Sequence, residues 1–285
     1  MGWFEERAGL DGTVAVVTGG AGGLGEAITL DLAANGVRVA LVDRDADAAA
    51  SIGSLLSADG RDAVVQVGDA REPDTLVRLF EAADERWGRL DTLVNVVGGT
   101  FRAQFTDTNP RGWDALLRAN LVHVFHACSL AVPRMRAGGR GGSIVNLTTI
   151  EAHRAAPNFA VYSAAKAGVA HFARSLALEV APDGIRVNNV APDITPTPNM
   201  GDISADSSSL GDPVGARIAV PMGRVGVPTD VSGCVVFLAS GLSSYVTGTT
   251  LHPDGGTFAS AGWFNWPDIG YLNAVPQDLM TALRR

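Results

Sequence analysis

The sequence predicts an α/β protein: a doubly wound, mostly parallel sheet with helices on both faces. Three observations carry that reading. Short, nearly continuous apolar runs alternate with longer segments of helical periodicity, and strands apolar on both sides belong to sheets covered on both faces. A glycine-rich run stands where the first strand passes into the first helical pattern. The composition is globular, with 46% hydrophobic and 18% charged residues in 285, which excludes disorder as the main state.

Strands are expected at residues 14–17, 37–42, 63–67, 92–94, 143–147 and 185–190. Helical spacing links Leu76, Leu79, Phe80 and Ala83, and again Leu116, Leu117, Leu121, Val124 and Phe125. Right-handed crossovers then leave the doubly wound sheet as the economical topology. Neither a repeat nor a linker interrupts residues 13–256, so one domain is expected over 1–285. Residues 193–220, rich in Pro, Ser, Gly and Asp, read as a mobile flap at a substrate site. The tail 257–285 carries Phe258, Trp263, Phe264, Trp266 and Tyr271. Aromatics of this size avoid solvent, so Trp263, Phe264 and Trp266 are expected to roof the pocket of their own or a neighbouring subunit. Oligomer packing away from the site is the alternative.

Thirty acidic residues against 22 basic ones give a net charge of −8, which argues against a nucleic-acid partner. Cys128 and Cys234 form neither a disulfide framework nor a zinc cluster, and read as buried small hydrophobes. No stretch approaches the ~18 consecutive apolar residues of a membrane span, so no membrane partner is expected. The first seven residues lack a signal peptide's apolar core, and the sixth position lacks the Ser or Thr of a myristoylation motif. A cytoplasmic, reducing setting is expected.

The glycine run is Thr18-Gly19-Gly20-Ala21-Gly22-Gly23-Leu24-Gly25. Glycines let the backbone turn tightly and approach a pyrophosphate at a helix N-terminus. The run satisfies two glycine patterns (19, 23, 25 and 20, 22, 25), so it does not set its own register. No Lys-Ser/Thr follows, which argues against a phosphotransferase loop. Asp43 ends the second strand 18 residues beyond Gly25, where a carboxylate binds both ribose hydroxyls of NAD and repels a 2′-phosphate. Arg44 beside it is expected to point to solvent and pair with Asp45 or Asp47. Asp69, ending the third strand, is placed to accept from an adenine amino group.

Tyr162 and Lys166 are four apart where a helical pattern begins, hence on one face. A phenol has a pKa near 10. An ammonium about 4 Å away at an effective dielectric of about 20 contributes roughly 4 kcal/mol towards its ionised form. The pair is therefore a sensible proton shuttle for a hydroxyl or carbonyl. Lys166 is the only lysine; every other basic residue is arginine. A compact, pKa-tuning charge is a task for lysine rather than arginine.

Taken together, these residues resemble the NAD(P)-dependent short-chain dehydrogenase/reductase family, over about residues 12–256. The glycine run is similar to that family's Thr-Gly-x-x-x-Gly-x-Gly. Residues 91–98 resemble its fourth-strand Asn-Asn-Ala-Gly motif, and Tyr162 and Lys166 its Tyr-x-x-x-Lys pair. Residues 221–256 are similar to its usual C-terminal section. The resemblance implies a single-domain Rossmann fold and NAD as cofactor. It implies that Gly19, Gly22, Gly23, Leu24, Gly25, Asp43, Asp69, Asn95 and Gly98 hold the cofactor, with Tyr162, Lys166, Pro192, Thr195 and Thr197 towards the nicotinamide. It further implies that Asn120 shapes a helix and holds a relay water, that Thr149 binds the substrate oxygen, and that Tyr162 exchanges the proton. Lys166 would lower the tyrosine's pKa and grip the nicotinamide ribose. A homo-tetramer or dimer is implied, and Ala164, Ala165, Ala167 and Gly168 would permit close helix packing.

Four departures stand out. Thr149 replaces the family's serine, Val96 and Val97 replace its second Asn and Ala, and Asp193 replaces the glycine after Pro192. Gly22 stands where NADP-using relatives often carry a basic residue, which favours NAD. The expected activity is NAD-dependent interconversion of a secondary alcohol and a ketone. The rival is a non-catalytic NAD-binding sensor or regulatory protein of the same fold. Glu151 and His153 follow Thr149 and could meet a substrate as acid/base or polar-recognition groups, but either alone reads more readily as a solvent-facing loop residue. His123 and His126 read as packing residues, and no metal site is expected.

Overall fold

The computed structural model describes residues 2–198 and 212–283. A short helix α1 (Trp3–Ala8) precedes β1 (Val14–Thr18), α2 (Leu24–Ala34), β2 (Arg38–Asp43), α3 (Ala46–Ala58) and β3 (Ala63–Val67). The second half-unit runs through α4 (Pro73–Trp87), β4 (Thr92–Asn95), α5 (Pro110–Leu117), α6 (His123–Gly138) and β5 (Gly142–Leu147). Next come α7 (Ala160–Val180), β6 (Ile185–Val190), α8 (Pro213–Ala219), α9 (Pro228–Ala239) and β7 (Thr250–Leu251). Among the described residues these strands form one seven-stranded sheet, ordered β3-β2-β1-β4-β5-β6-β7. Every pairing in it is parallel. The sheet is the expected Rossmann arrangement, and the winding reverses between β1 and β4, which opens a crevice at their carboxyl ends.

Successive side chains alternate faces along a strand, and both faces here are covered. Val16, Ala40, Val42, Leu93 and Ile144 pack with α4, α6 and α7. Their immediate neighbours Ala15, Val17, Val39, Leu41 and Val145 pack with α2, α3 and α9. Two cores on opposite faces explain why the strands read as continuous apolar runs. Local signals agree with the ends: Asp45 caps α3 through the N–H groups of Asp47 and Ala48, and α4 opens on Pro73 and stops at left-handed Gly88.

A polar ladder crosses the carboxyl ends of four strands. Asn95 Nδ2 donates to Asn146 Oδ1 at 2.9 Å, Asn146 Nδ2 to Asn189 Oδ1 at 3.3 Å, and Asn189 Nδ2 to Thr250 Oγ1 at 3.3 Å. Buried amides bonded in a row fix a single register, although Asn95 Oδ1 has no partner among the described residues.

Several expectations change. Residues 110–138 form one continuous helical stretch, and its most apolar window has a mean hydropathy of 1.4, enough by length and composition to cross a membrane. Nearly half of that window is buried, and Val124, Ala127, Cys128, Ala131 and Met135 sit in the sheet core. It is read as a core helix. Within the expected flap, residues 213–219 form α8, capped by Asp212, while 199–211 lie outside the described residues. The tail forms α10 (Thr257–Ser260), a hairpin of β8 (Phe264–Trp266) and β9 (Gly270–Leu272), and α11 (Gln277–Leu283). The hairpin packs against α8. Trp263 and Phe264 remain nearly half exposed, and among the described residues no tail side chain lines the crevice. Within the chain, then, Trp263, Phe264 and Trp266 do not line the crevice, and the hairpin that follows Trp263 packs against α8 instead.

Candidate active site

A cavity of about 990 Å³ runs along the crevice. One end is lined by Gly19, Gly22, Gly23, Leu24, Asp43 and Asp69, and its middle by Gly98, Lys166, Pro192, Thr195 and Thr197. At the other end stand Thr149 and Tyr162. Three predicted residues lie just behind the wall. Gly25 is buried under Gly19, where a Cβ would fall 1.8 Å from the Gly19 carbonyl oxygen. Asn95 is buried in the amide ladder, and Asn120 is buried beside Gly98. None of the three lines the cavity, because each uses its side chain or lack of one to shape the wall.

The glycine run fits a pyrophosphate. Gly19 and Gly23 adopt φ of +68° and +56°, and a Cβ on Gly23 would press on Thr197 at 3.2 Å. The cradle is therefore bare backbone at the N-terminus of α2, which attracts anions. Asp43 is fixed at the far end: its carboxylate accepts from Ala21 N–H at 3.0 Å and Asp45 N–H at 3.1 Å. Among the described residues Arg44 forms no ion pair with Asp45, which caps α3, or with Asp47, and it lines the cavity. Asp69 also lines the cavity, but Arg71 grips both its oxygens and holds its carboxyl below the usual range. Arg71 was not anticipated; nothing periodic marks a single exposed arginine after a strand.

Asn120 sits in a π-helical turn, Arg118–Val122, between α5 and α6. Its Nδ2 donates to Gly99 O at 2.7 Å and Leu116 O at 3.0 Å, and its Oδ1 accepts from Gly99 N–H at 3.2 Å. The two bonds to Gly99 clamp the loop after β4, and the third ties Asn120 back to α5 within the widened turn. A Cβ at Gly98 would meet Asn120 Oδ1 and Lys166 Nζ, each at 3.1 Å. Lys166 is buried and donates to Leu147 O at 2.8 Å. Burial brings its ammonium down to about 8.

Tyr162 departs from expectation. Burial pushes its hydroxyl up to about 12, a hydrogen bond with Thr149 works the other way, and the Glu151 carboxylate adds to the rise. The anticipated lowering by Lys166 does not enter this balance, which withdrawal of water from the phenol dominates. Thr149 ends the loop after β5 and its hydroxyl accepts from Glu151 N–H at 3.3 Å. Val97 packs against Gly19, with its Cγ2 3.0 Å from where a Cβ there would stand.

Nearby histidines differ. His123 is buried, without a well-formed hydrogen bond to either ring nitrogen among the described residues. Burial, with the Lys166 charge nearby, takes its pKa down to about 3. It is therefore neutral when folded, and its contribution to stability is present above pH ~6.5 and lost as pH falls towards 3. Urea unfolding at stepped pH values is expected to show that loss, with a limiting slope of ~1.4 kcal/mol per unit, and His123→Leu is expected to remove it. His153 packs on His252 and Phe258 rather than into the cavity. No cluster of three metal-ligating side chains occurs among the described residues.

Comparison with known proteins agrees with this geometry. The family model described as Enoyl-(Acyl carrier protein) reductase matches residues 19–257. The NADP-dependent (R)-specific alcohol dehydrogenase of Lentilactobacillus kefiri is 35% identical over 254 residues, covering 87% of this chain and 97% of that one. The 3beta-hydroxysteroid dehydrogenase 1 of Eggerthella lenta is 35% identical over 249 residues, covering 87% and 94%. A short-chain type dehydrogenase/reductase structure from Mycobacterium marinum superposes with a TM-score of 0.80 at 29% identity, covering 87% and 96%. The chain belongs to the short-chain dehydrogenase/reductase family, oxidoreductases that act on CH–OH groups with a nicotinamide cofactor.

Proposed function

We propose that the protein interconverts a secondary alcohol and a ketone, with NAD as the preferred cofactor. One observation carries the reading: a single cavity runs from the anchored carboxylate of Asp43 to Thr149 and Tyr162. When bound, the nicotinamide supplies the hydride acceptor or donor. The protein's own residues do the rest. Gly19 to Gly25 receive the pyrophosphate, Asp43 the adenosine ribose, and Lys166 the ribose nearer the nicotinamide. Thr149 orients the substrate oxygen, and Tyr162 takes or gives its proton. Leu147 O and the Asn120 clamp hold Lys166 and the neighbouring loop in place.

Cofactor preference rests on Asp43 against Arg44. Steady-state assays with NAD and NADP in parallel are expected to favour NAD. Asp43→Ala is expected to weaken NAD about tenfold, since one charge-assisted hydrogen bond contributes about 1.5–3 kcal/mol. It also leaves Arg44 to meet a 2′-phosphate, so the NADP-to-NAD ratio rises. A wild-type preference for NADP would make Arg44 the deciding residue.

The protein is read as a homo-oligomer, dimer or tetramer. Of the small residues of α7, Ala165 is buried in the chain and Gly168 faces Leu121, but Ala164 stays exposed. Phe125 on α6 and Leu178 on α7, exposed at 39% and 78%, add support.

A further inference from the structure

At the Tyr162 end of the cavity, two carboxylates hold one guanidinium. Arg154 Nη2 donates to Glu151 Oε1 at 2.8 Å, and Arg154 Nε donates to Glu151 Oε2 at 3.4 Å. Nη2 also lies 3.7 Å from Asp193 Oδ1. All three residues line the cavity. Each is tied to the reacting end: Glu151 N–H bonds the Thr149 hydroxyl, and Ile150 N–H bonds the carbonyl of Pro192, next to Asp193, at 3.1 Å. The cluster accounts for the unusual Asp193 after Pro192. A glycine there would leave Arg154 with one carboxylate.

A guanidinium has five N–H donors. Glu151 accepts from Nε and Nη2, Asp193 stands beside Nη2 as an ion-pair partner at 3.7 Å, and Nη1 has no acceptor among the described residues. The arginine stays charged, but two carboxylates around it make the local patch net negative. A carboxylate or phosphate on a substrate is repelled there, whereas a neutral oxygen can accept from Nη1 without that penalty. Phe101, Leu116 and Phe159 supply apolar wall to the same cavity, and Arg102 also lines it.

Resting on the secondary-alcohol reading above, we propose that Arg154, positioned by Glu151 and Asp193, determines specificity: it selects neutral substrates with a second oxygen, hydroxyl or carbonyl, beside the reacting carbinol. Carboxylate-bearing alcohols are excluded by the same pair of acids.

Three alcohols that differ in one group test this: methyl phenyl carbinol, styrene glycol and mandelate. The expected order of kcat/KM is styrene glycol, then methyl phenyl carbinol, then mandelate. Arg154→Leu is expected to erase the advantage of styrene glycol over methyl phenyl carbinol, about tenfold and through KM. Glu151→Gln is expected to raise mandelate against styrene glycol about tenfold, by removing one nearby negative charge. Thermal melting and NADH fluorescence establish that each variant is folded and loaded. The matching ketones, acetophenone, phenacyl alcohol and benzoylformate, read the same ranking by their effect on bound-NADH fluorescence, without turnover. Preference for mandelate in the wild type, or an unchanged ratio in Arg154→Leu, overturns the proposal; loss of that mandelate preference in Arg102→Ala would assign recognition to Arg102. Ketones ranked as expected without turnover of any alcohol would support the selection and overturn the dehydrogenase reading instead.

Discussion

Tyr162→Phe is expected to lower kcat/KM by about a thousandfold or more while leaving NADH binding within about twofold, since a positioned proton donor contributes 10²–10⁴-fold. The substitution keeps the ring and removes only the hydroxyl that carries the exchangeable proton. Thr149→Ser is expected to keep activity and Thr149→Val to lose most of it, because only the hydroxyl can hold the substrate oxygen. The sign of the pH dependence follows from burial. With the Tyr162 hydroxyl pushed up to about 12, its basic form is scarce at neutral pH, so alcohol oxidation is expected to accelerate towards alkaline pH. Ketone reduction uses the protonated form and is expected to persist at neutral pH. Oxidation that accelerates towards acid would contradict this assignment.

Gly25→Ala is the second large effect. Its Cβ would stand 1.8 Å from the Gly19 carbonyl oxygen and 2.8 Å from the carbonyl carbon, all backbone. The turn must open for the methyl to enter, so binding of NADH is expected to weaken about a hundredfold or more, with a lower Tm; overpacking alone costs about 1–3 kcal/mol, occasionally more. Gly53→Ala is the control. It lies in α3, where a Cβ meets only Val65 at 3.5 Å, and helix propensity favours alanine there by about 1 kcal/mol. Normal NADH binding by a folded Gly25→Ala protein would show that the loop is not the cofactor cradle.

What the sequence revealed followed physical regularity. Six strands were legible because a sheet buried on both faces demands unbroken apolar runs, and β7 was not because two half-buried residues carry no period. Glycines 19, 23 and 25 were legible as a group, yet only packing shows their division of labour. Gly19 and Gly23 supply left-handed turns, and Gly25 supplies the missing Cβ. Tyr162 and Lys166 were legible through their helical spacing, but their protonation was not. Burial depends on the loops after β4 and β5, which helical spacing does not describe. Arg154 escaped notice because its meaning lies in Asp193, 39 positions away in the chain and brought to it by β6. The asparagine ladder did leave a trace: asparagine near the carboxyl end of each of three apolar strands, at 95, at 146 and at 188–189. That trace has meaning only once β4, β5 and β6 are known to be neighbours.

The central claim is hydride transfer from a carbinol carbon to NAD, managed by Tyr162. It is tested most directly with styrene glycol deuterated at the carbinol carbon, incubated with the protein and NAD. Mass spectrometry of both products then follows the label. Ketone and reduced cofactor are expected in equal amounts, with the deuterium on the nicotinamide and none in water, and with transfer slowed about a thousandfold or more in Tyr162→Phe. Reduced cofactor without label, or NAD that binds but remains oxidised across a broad panel of labelled secondary alcohols, would contradict the claim.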